Sequence, residues 1–373
     1  MARVRFGDVV KEIKINIDRA TDNHEFYIAG EHMETENIHL TKRGRFEGSD
    51  VGPAFIRLFR PGQVLYGSRR TYLKKVAVAD FEGITSNTTF VLETKDQSVM
   101  MQELLPFIML TDSFTEYAIR NSKGSTNPYI LFSDLCAYEF ELPAIEKQHI
   151  LATRLLACDN VKEAYKRLLT ATDELVKSQF IEMFGDKQSG FKYPCSKVQE
   201  LTDVCSGGTP DRNNAEYWED GTVPWVKTTE LQNNVINTVD EHITEKGLAD
   251  SSAKLVPAGT ILIAMYGQGK TRGMTAYLGI EASTNQACAC ILPTEKIDMV
   301  FMWQYFVNSY NELRHLAKGS NQANLNAGMI KNFPVPVPPI ELQEQYSAFV
   351  KQIDKSKYIA RQATANLRTY GIL

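Results

Sequence analysis

The sequence contains one glycine-rich segment that suggests phosphate chemistry, YGQGKTRG at 266–273. A phosphate-binding loop needs the pattern GxxxxGK[ST], but Ala264 occupies the position of its first glycine. The residues that follow are interrupted by Gly279 and do not predict a helix whose N-terminus could hold a phosphate. We therefore expect a glycine-rich hairpin or loop, in which Lys270 and Arg272 could still reach a DNA backbone because glycine lets the main chain approach closely.

Other motifs do not predict catalysis either. Asn127-Pro128-Tyr129 is one proline short of the NPPY signature of adenine methyltransferases, and we interpret it as a turn. The six histidines form no HExxH, no serine stands in GxSxG, and the spacing of Cys288 and Cys290 indicates one buried face of a strand. We expect no catalytic residue, no metal site and no cofactor bound by this chain.

Basic and polar clusters are better candidates for function. Arg69 and Arg70 follow one strand-like run. Lys227 lies two residues after Trp225, at the end of another strand-like run. Arginine can bind guanine, asparagine or glutamine can bind adenine, and lysine or threonine can bind phosphates. For each single residue a solvated surface charge is the alternative, and Gly124 and Gly319 also fit helix C-terminal caps. The candidate DNA contacts are Arg69, Arg70, Lys123, Ser125, Lys227, Thr228, Thr229, Gln268, Lys270, Arg272, Lys318, Ser320, Asn321 and Gln322.

The chain contains an internal repeat. The triplet KGS at 123–125 recurs at 318–320, and the same offset carries Gln148 to Gln343. Upstream, PGQVL at 61–65 is similar to AGTIL at 258–262, with a slightly different offset. Matches that stay in order with a slowly drifting offset predict two homologous units.

Each unit ends in a long helical pattern. Neither proline nor glycine occurs between Pro143 and Gly185, and apolar residues recur there every three or four positions. About 40 residues at 1.5 Å each would make a rod of roughly 60 Å. An ordinary core helix is the alternative, but we favour a pair of helices that pack together as a spacer. The candidate helix–helix and partner contacts are Leu151, Val161, Tyr165, Leu168, Leu175, Tyr346, Phe349, Ile353 and Leu367.

The fold class that follows is mixed α/β, with two similar globular domains separated by two long helices. We place the domains at 1–142 and 189–339 and the helices at 143–188 and 340–373. The net charge of −4 is not the basic signature of a protein that binds DNA alone, so any such role needs local basic loops or a partner. Sparse cysteines, no apolar N-terminal segment and no membrane-spanning run predict a cytoplasmic protein.

Three segments now carry a resemblance to a family. They are LPAIEKQ at 142–148 with its repeat PPIELQEQ at 338–345, SQFIEMFGD at 178–186, and SGGTP at 206–210 followed by PWV at 224–226. Together they resemble the specificity subunit of Type I restriction-modification systems. The N-terminal unit lacks the GGTP and PW segments.

The resemblance implies two target-recognition domains, each reading half of a split site in double-stranded DNA. Two helices in an antiparallel coiled coil with pseudo-twofold symmetry would fix the gap between half-sites. The family is not catalytic. It binds two methyltransferase subunits that use S-adenosylmethionine, and restriction subunits that use ATP and Mg²⁺ in the full complex. The alternatives are a nucleotide- or S-adenosylmethionine-dependent transferase that uses loop 267–273, and a structural adaptor without a DNA role.

Overall fold

The computed structural model describes residues 2–19, 21, 23–267, 269–318 and 324–369, without the side chains of 317, 318 and 365–369. The described part is mixed α/β, as the sequence predicts. It divides into two compact units: unit 1 runs to Ala164 and includes the chain from Ala363, and unit 2 is Tyr165–Gln362. The long central helix therefore contributes its first part to unit 1 and its second part to unit 2.

The described residues of unit 1 form ten short strands and four short helices that lead into the long helix. Short 3-10 turns occur at Thr71–Leu73 and Gln102–Leu104. The elements are β1 (Ala2–Arg5), α1 (Phe6–Val9), β2 (Val10–Glu12), β3 (Phe26–Ile28), β4 (Gly44–Arg45), β5 (Phe55–Phe59), β6 (Val64–Gly67), β7 (Val76–Val78), β8 (Gly83–Ser86), β9 (Thr89–Thr94), α2 (Leu105–Leu110), α3 (Asp112–Arg120), α4 (Phe132–Leu135), β10 (Glu139–Leu142) and α5 (Ile145–Phe184).

Unit 2 continues from the end of α5. Short 3-10 turns occur at Ala215–Tyr217 and Thr228–Glu230. The elements are β11 (Gly185–Asp186), β12 (Gly190–Phe191), β13 (Cys195–Lys197), α6 (Val198–Leu201), β14 (Val204–Ser206), β15 (Val223–Val226), β16 (Asn234–Ile236), β17 (Glu241–Ile243), α7 (Glu245–Ala249), β18 (Ile261–Ala264), β19 (Thr275–Leu278), β20 (Ser283–Thr284), β21 (Cys288–Ile291), α8 (Met299–Asn308), α9 (Tyr310–Lys318), α10 (Ala327–Lys331), β22 (Pro334–Pro336) and α11 (Ile340–Thr369).

The sheets of the two units have the same strand order. Unit 1 contains an antiparallel sheet β2-β9-β6-β7, and unit 2 contains β14-β21-β18-β19 with β16 added at its edge. A second sheet places β3 between antiparallel β4 and parallel β8, and unit 2 repeats this with β15 between β17 and β20. A two-stranded ribbon, β1-β10 or β13-β22, precedes each long helix.

Alternating apolar residues on the central strands explain the cores. In unit 1, Val64, Tyr66 and Leu92 pack against helices α2 and α3, and in unit 2 Ile261 and Ile263 pack against the aromatic helix α8. Cys288 and Cys290 are both buried, which confirms the prediction of a core strand face.

A buried glutamine fixes the start of each long helix. Gln148 Oε1 accepts from the Met101 amide at 3.0 Å, while its Nε2 donates to the carbonyls of Val99 and Pro143 at 2.8 and 2.9 Å. Gln343 does the same in unit 2, accepting from the Asp298 amide at 2.8 Å and donating to the Pro338 carbonyl at 2.7 Å. Both side chains satisfy buried backbone groups that would otherwise destabilise the fold.

Within unit 2, the second part of α5 packs against α11. Val176, Phe180 and Phe184 are buried there, and the Tyr346 hydroxyl donates to the Val176 carbonyl at 3.1 Å. Lys357 forms an ion pair with Asp173 at 2.5 Å, so residue numbers fall along α11 as they rise along α5. The two helix segments therefore run antiparallel in this unit.

The residues expected at the helix contacts fall into two groups. Tyr346 is buried, and Phe349 and Ile353 pack against the core of unit 2. Tyr165 is half-buried. Leu151, Val161, Leu168 and Leu175 are 40–47% exposed, so they contribute little to the core and stay a prediction for a partner surface. The side chain of Leu367 lies outside the described residues.

Helix α3 corrects one interpretation. It ends at Arg120 with Asn121 in the C-cap position, three residues before Gly124. Gly124 is therefore not the helix cap that its position after a helical pattern suggested. Its φ of +86° instead allows the turn in which Lys123 and Tyr129 pair through their backbones. Gly319 lies outside the described residues.

Candidate nucleic-acid interface

The unit 1 tip, residues 68–75 and 122–130, brings separate candidate residues together. The Arg70 amide donates to the Pro128 carbonyl at 2.6 Å, and the Ile130 amide donates to the Ser68 carbonyl at 3.0 Å. Lys123 and Tyr129 exchange two backbone hydrogen bonds of 2.7 and 2.9 Å. The β6–β7 loop and the segment after α3 thus form one backbone-bonded surface.

The cations of the unit 1 tip differ in how they are partnered. Arg69 and Arg70 are exposed, and no carboxylate of the described chain lies within ion-pair distance of either. The Lys123 ammonium, in contrast, lies 3.0 Å from Asp134. Arg69 and Arg70 therefore keep their charge available for a phosphate or a base edge.

Lys74, at the end of the same loop, is structural. It donates to Asp112 at 2.7 Å and lies 3.0 Å from Glu36. The hydrogen bond from Lys74 to Asp112, reinforced by Glu36, raises the pKa of its ammonium. This lysine holds the loop in place and is not available to a ligand.

Exposed polar and aromatic side chains complete the unit 1 tip. Tyr72 is 53% exposed and Tyr129 is 41% exposed. Ser125 is exposed beside them. Exposed aromatic rings next to arginines suit contacts with nucleic acid, because rings can pack on sugars or bases while the guanidinium groups bind phosphates.

The unit 2 tip, residues 265–267 and 269–274 with 324–325, repeats the central contact. The Leu325 amide donates to the Met265 carbonyl at 3.1 Å, as Ile130 does to Ser68 in unit 1. Arg69 and Arg70 thus lie in the connection that corresponds to the one holding Lys270 and Arg272, which is what the sequence predicts.

Helix α9 supports the unit 2 tip from one side. The Tyr310 hydroxyl donates to the Lys270 carbonyl at 2.8 Å, and Arg314 Nη1 donates to the Arg272 carbonyl at 3.0 Å. The loop leads directly into strand β19 and not into a helix, so it has no helix N-terminus for a phosphate. This agrees with a glycine-rich hairpin and removes the structural basis of a nucleotide-binding loop.

The other unit 2 candidates are distributed differently. Lys270 is exposed with no ion pair in the described chain, and Arg272 is half-buried. The Lys227 ammonium lies 3.0 Å from Glu241 and 3.5 Å from Asp240, and its hydrogen bond to Glu241 raises its pKa. Thr228 and Thr229 begin the turn that follows it.

Several predicted contacts lie outside the described residues. These are Gln268, Ser320, Asn321 and Gln322, together with the side chain of Lys318.

The GGTP and PW segments have a structural function that sequence reasoning missed. The buried Trp225 indole donates to the Gly208 carbonyl at 3.0 Å, and Trp218 packs edge-on against Trp225 with ring centroids 5.0 Å apart. A Cβ on Gly208 would lie 2.3 Å from the Ala253 amide nitrogen. The two glycines let the chain cross this surface, and the pairing of GG with a later tryptophan was the available signal.

Stacked arginines were also missed. Arg212 lies over Trp218 at 3.7 Å and pairs with Glu241 at 2.6 Å. In unit 1, Arg43 lies over Phe26 at 4.0 Å, next to the strand that corresponds to β17. Cation–π stacking of this kind depends on contacts between distant residues, which the sequence does not display.

Within the described ranges, no cluster of three or more His, Cys, Asp or Glu side chains could hold a metal ion. No described helix combines the length and apolar character needed to cross a membrane.

The second half of the chain matches a known family model. Residues 195–367 match the model of the Type I restriction modification DNA specificity domain. This part of the chain is similar to that family, in agreement with the resemblance found in the sequence.

Individual relatives agree. The chain is 26% identical over 205 residues to the Type I restriction enzyme EcoR124I/EcoR124II specificity subunit of Escherichia coli, covering 53% of this chain and 50% of that protein. It is 21% identical to the MjaVIII specificity subunit of Methanocaldococcus jannaschii, covering 96% and 87%. The chain thus spans about half the length of the first of these relatives.

A solved structure shows the same fold. The Type I restriction-modification S subunit from M. genitalium superimposes with a TM-score of 0.62 at 15% identity, covering 99% of this chain and 93% of that one.

Proposed function

We propose that this chain is the non-catalytic, DNA-reading subunit of a Type I restriction-modification complex. Each unit reads one half of a bipartite site in double-stranded DNA. One observation carries the proposal: the same backbone hydrogen bond, Ile130 to Ser68 or Leu325 to Met265, builds the same tip at the same strand end in both units. Exposed cations without an ion pair in the described chain lie on each tip.

The long helices form the spacer of this proposal. The equal strand orders of the units support an internal repeat with pseudo-twofold symmetry, and the antiparallel contact of α5 with α11 supports an antiparallel coiled coil. Half-site spacing mirrors protein geometry, and one DNA turn measures about 34 Å. A rod of roughly 60 Å separates two readers by between one and two turns.

Partners supply the chemistry. Two methyltransferase subunits bring S-adenosylmethionine, and restriction subunits bring ATP and Mg²⁺ in a cutting complex in the cytoplasm. The exposed stripe Val161, Leu168 and Leu175 supports a partner surface on α5, because the three side chains recur every seven residues on one helix face. The near-neutral charge fits a reader whose partners help to hold the duplex.

The test is to exchange residues 189–339 for those of a relative and to sequence the methylated sites of a host that carries the chain with its methyltransferase. One half-site changes and the other stays. If both halves change, modular reading is wrong.

An insertion variant tests the spacer. Four residues inserted between Leu151 and Val176 of α5 lengthen the non-specific gap between half-sites. An unchanged gap with full methylation activity refutes the spacer, because the separation of the readers would then not depend on the helix.

A further inference from the structure

Unit 2 places two cysteines directly opposite each other on neighbouring strands. Cys205 of β14 and Cys290 of β21 are register partners in an antiparallel pair. Two positions along the same pair, the Gly207 amide donates to the Cys288 carbonyl at 3.2 Å. Bonded pairs recur at every second residue of an antiparallel ladder, so the two cysteines also form a backbone-bonded pair, with Cα atoms about 5.5 Å apart.

This separation fits a disulfide. The Cα atoms of disulfide-bonded cysteines lie roughly 4.4–6.8 Å apart. Residues directly opposite each other project from the same face of a sheet, and the thiol of Cys290 donates a hydrogen bond to that of Cys205. Formation of an S–S bond therefore needs rotation of two side chains and little movement of the strands.

The two thiols differ in exposure and acidity. Cys205 is half-buried, whereas Cys290 is buried. The hydrogen bond from Cys290 lowers the pKa of the Cys205 thiol, and the charges of Lys254 and Lys331 lower it further. The same hydrogen bond, together with burial, raises the pKa of the Cys290 thiol. Cys205 therefore supplies an accessible thiolate, the nucleophilic form of cysteine, next to a protonated partner.

Two other cysteines of unit 2 are placed differently. Cys288 is buried and stands opposite Gly207 on one side and Ala264 on the other. Cys195 is exposed, and its register partner is Pro336. Burial raises the pKa of both thiols. The register therefore singles out one pair of cysteines.

We propose that Cys205 and Cys290 form a reversible disulfide, driven by a hydroperoxide, that cross-links β14 to β21. With hydrogen peroxide, the Cys205 thiolate attacks one oxygen and the O–O bond breaks. Cys205 becomes a sulfenic acid, and the hydroxide that leaves takes up the proton that Cys205 had released. The Cys290 sulfur then attacks the Cys205 sulfur, and the hydroxyl group leaves as water with the proton of Cys290. Two thiols and one hydrogen peroxide thus give one disulfide and two water molecules.

The cross-link protects the sheet behind the unit 2 tip from irreversible damage. A sulfenic acid that meets no second thiol is oxidised further to a sulfinic acid, which thiols do not reduce. At Cys205 that product places an acidic group three residues before Gly208, whose carbonyl binds the buried Trp225. The disulfide, in contrast, returns to two thiols when a reductant is present.

The test treats the full chain with hydrogen peroxide, alkylates the remaining thiols and identifies the digested peptides by mass spectrometry. We expect a peptide pair joined between Cys205 and Cys290, which disappears after treatment with dithiothreitol. Cys195→Ser is the matched control, because it removes an exposed thiol outside the pair, and the cross-link forms to the same extent.

A second variant tests the protective role. Cys290→Ser removes the thiol that closes the disulfide, while its hydroxyl can still donate a hydrogen bond to Cys205. The fraction of Cys205 converted to sulfinic acid rises about fivefold over the parent chain, and dithiothreitol does not reverse it. The cross-link itself is measured in the parent chain, so the test does not depend on the folding of this variant.

Other outcomes overturn the proposal. A parent chain without the cross-link, or with Cys205 joined to Cys288 or to a second chain, shows that the register does not select this pair. Equal sulfinic acid at Cys205 in the parent and in Cys290→Ser refutes the protective role. These measurements need neither DNA nor a partner subunit, so their result is independent of the proposed function.

Discussion

The unit 1 tip and the unit 2 tip share a backbone hydrogen bond but present their charges differently. In unit 1, Arg70 and Lys74 adopt left-handed backbone angles, with φ of 50° and 44°, although neither is glycine. In unit 2, Gly267, Gly269 and Gly273 take the positive φ values, and α9 holds the loop through its carbonyls. Unit 1 thus places a non-glycine cation in a left-handed position, whereas unit 2 leaves these positions to glycine and carries its exposed cation, Lys270, between them.

The comparison distinguishes the backbone hydrogen bonds that hold each tip from the side chains that each tip presents to DNA. The shared hydrogen bonds use backbone atoms only, so they persist while the side chains around them change. Sequence divergence concentrated at the tips is then compatible with an unchanged sheet order behind them.

A change in the GGTP segment of unit 2 has the largest expected effect. Gly208→Ala places a Cβ 2.3 Å from the Ala253 backbone nitrogen and disrupts the carbonyl that Trp225 binds. We expect a destabilisation of about 3 kcal/mol, measured by thermal unfolding, since overpacking against backbone cannot relax easily. Gly30→Ala, with no atom within 4 Å of its added Cβ, serves as the control and changes stability by less than about 0.5 kcal/mol. An equal effect of both would contradict this packing.

The two buried glutamines test whether the units share a framework. Gln148→Leu and Gln343→Leu each leave buried backbone groups unpaired, at a cost of about 1–3 kcal/mol. Chemical denaturation of each variant should give similar losses, with the exposed Gln352→Leu as the control. A large loss for one glutamine and none for the other would show that the joints are not equivalent.

A substitution in the unit 1 tip is expected to change DNA affinity without changing the stability of the fold. Arg70→Gly relieves the left-handed strain of about 1 kcal/mol and roughly offsets the added chain entropy, so the melting temperature stays near the parent value. DNA affinity falls, and the slope of its salt dependence decreases by about 0.9 if one phosphate contact is lost.

The reciprocal change in unit 2 is Gly269→Ala. Gly269 has a φ of +60° and open space around it, so alanine costs about 1 kcal/mol of stability through backbone strain. The cation at Lys270 remains, and the salt slope of DNA binding stays at the parent value. A reduced slope here and an unchanged slope for Arg70→Gly would contradict a phosphate contact of the Arg70 side chain.

The smallest effect concerns the sheet behind the unit 2 tip. Cys205 and Cys290 face each other on β14 and β21, and a hydrogen bond from Cys290 lowers the pKa of the Cys205 thiol. Burial raises the pKa of Cys195. A lower pKa means more thiolate at a given pH, so alkylation followed by mass spectrometry should modify Cys205 at lower pH than Cys195. If Cys195 were alkylated at lower pH than Cys205, the hydrogen bond from Cys290 would not explain the reactivity of Cys205.

The sequence predicted features that depend on local spacing. The equal offset of Gln148 and Gln343 reflects equal positions at the helix starts, and the strand–loop location of Arg69 and Lys270 follows from apolar runs that end in glycine or serine. Such features lie within a few residues of the elements that create them, so periodicity and turn residues are enough to find them.

Features made by distant contacts could not be predicted in the same way. Apolar residues occur on two faces of α5, and periodicity alone did not distinguish the exposed Leu168 and Leu175 from the buried Val176 and Phe180. Similarly, nothing near Lys227 in the sequence indicates that Glu241 and Asp240 neutralise it. In both cases residues far away in the sequence determine whether a side chain is buried or its charge is neutralised.

The glutamine joints have a consequence for how such proteins diversify. Gln148 binds the amide of Met101 and the carbonyl of Val99, and Gln343 binds the amide of Asp298. Both glutamine side chains therefore bond to backbone atoms of the neighbouring segment and not to its side chains. The glutamine hydrogen bonds therefore need only the same main-chain course in an exchanged domain. Side-chain contacts such as those of Ser347 with Asp298 and of Asp159 with His39 are what a recombined domain must still match.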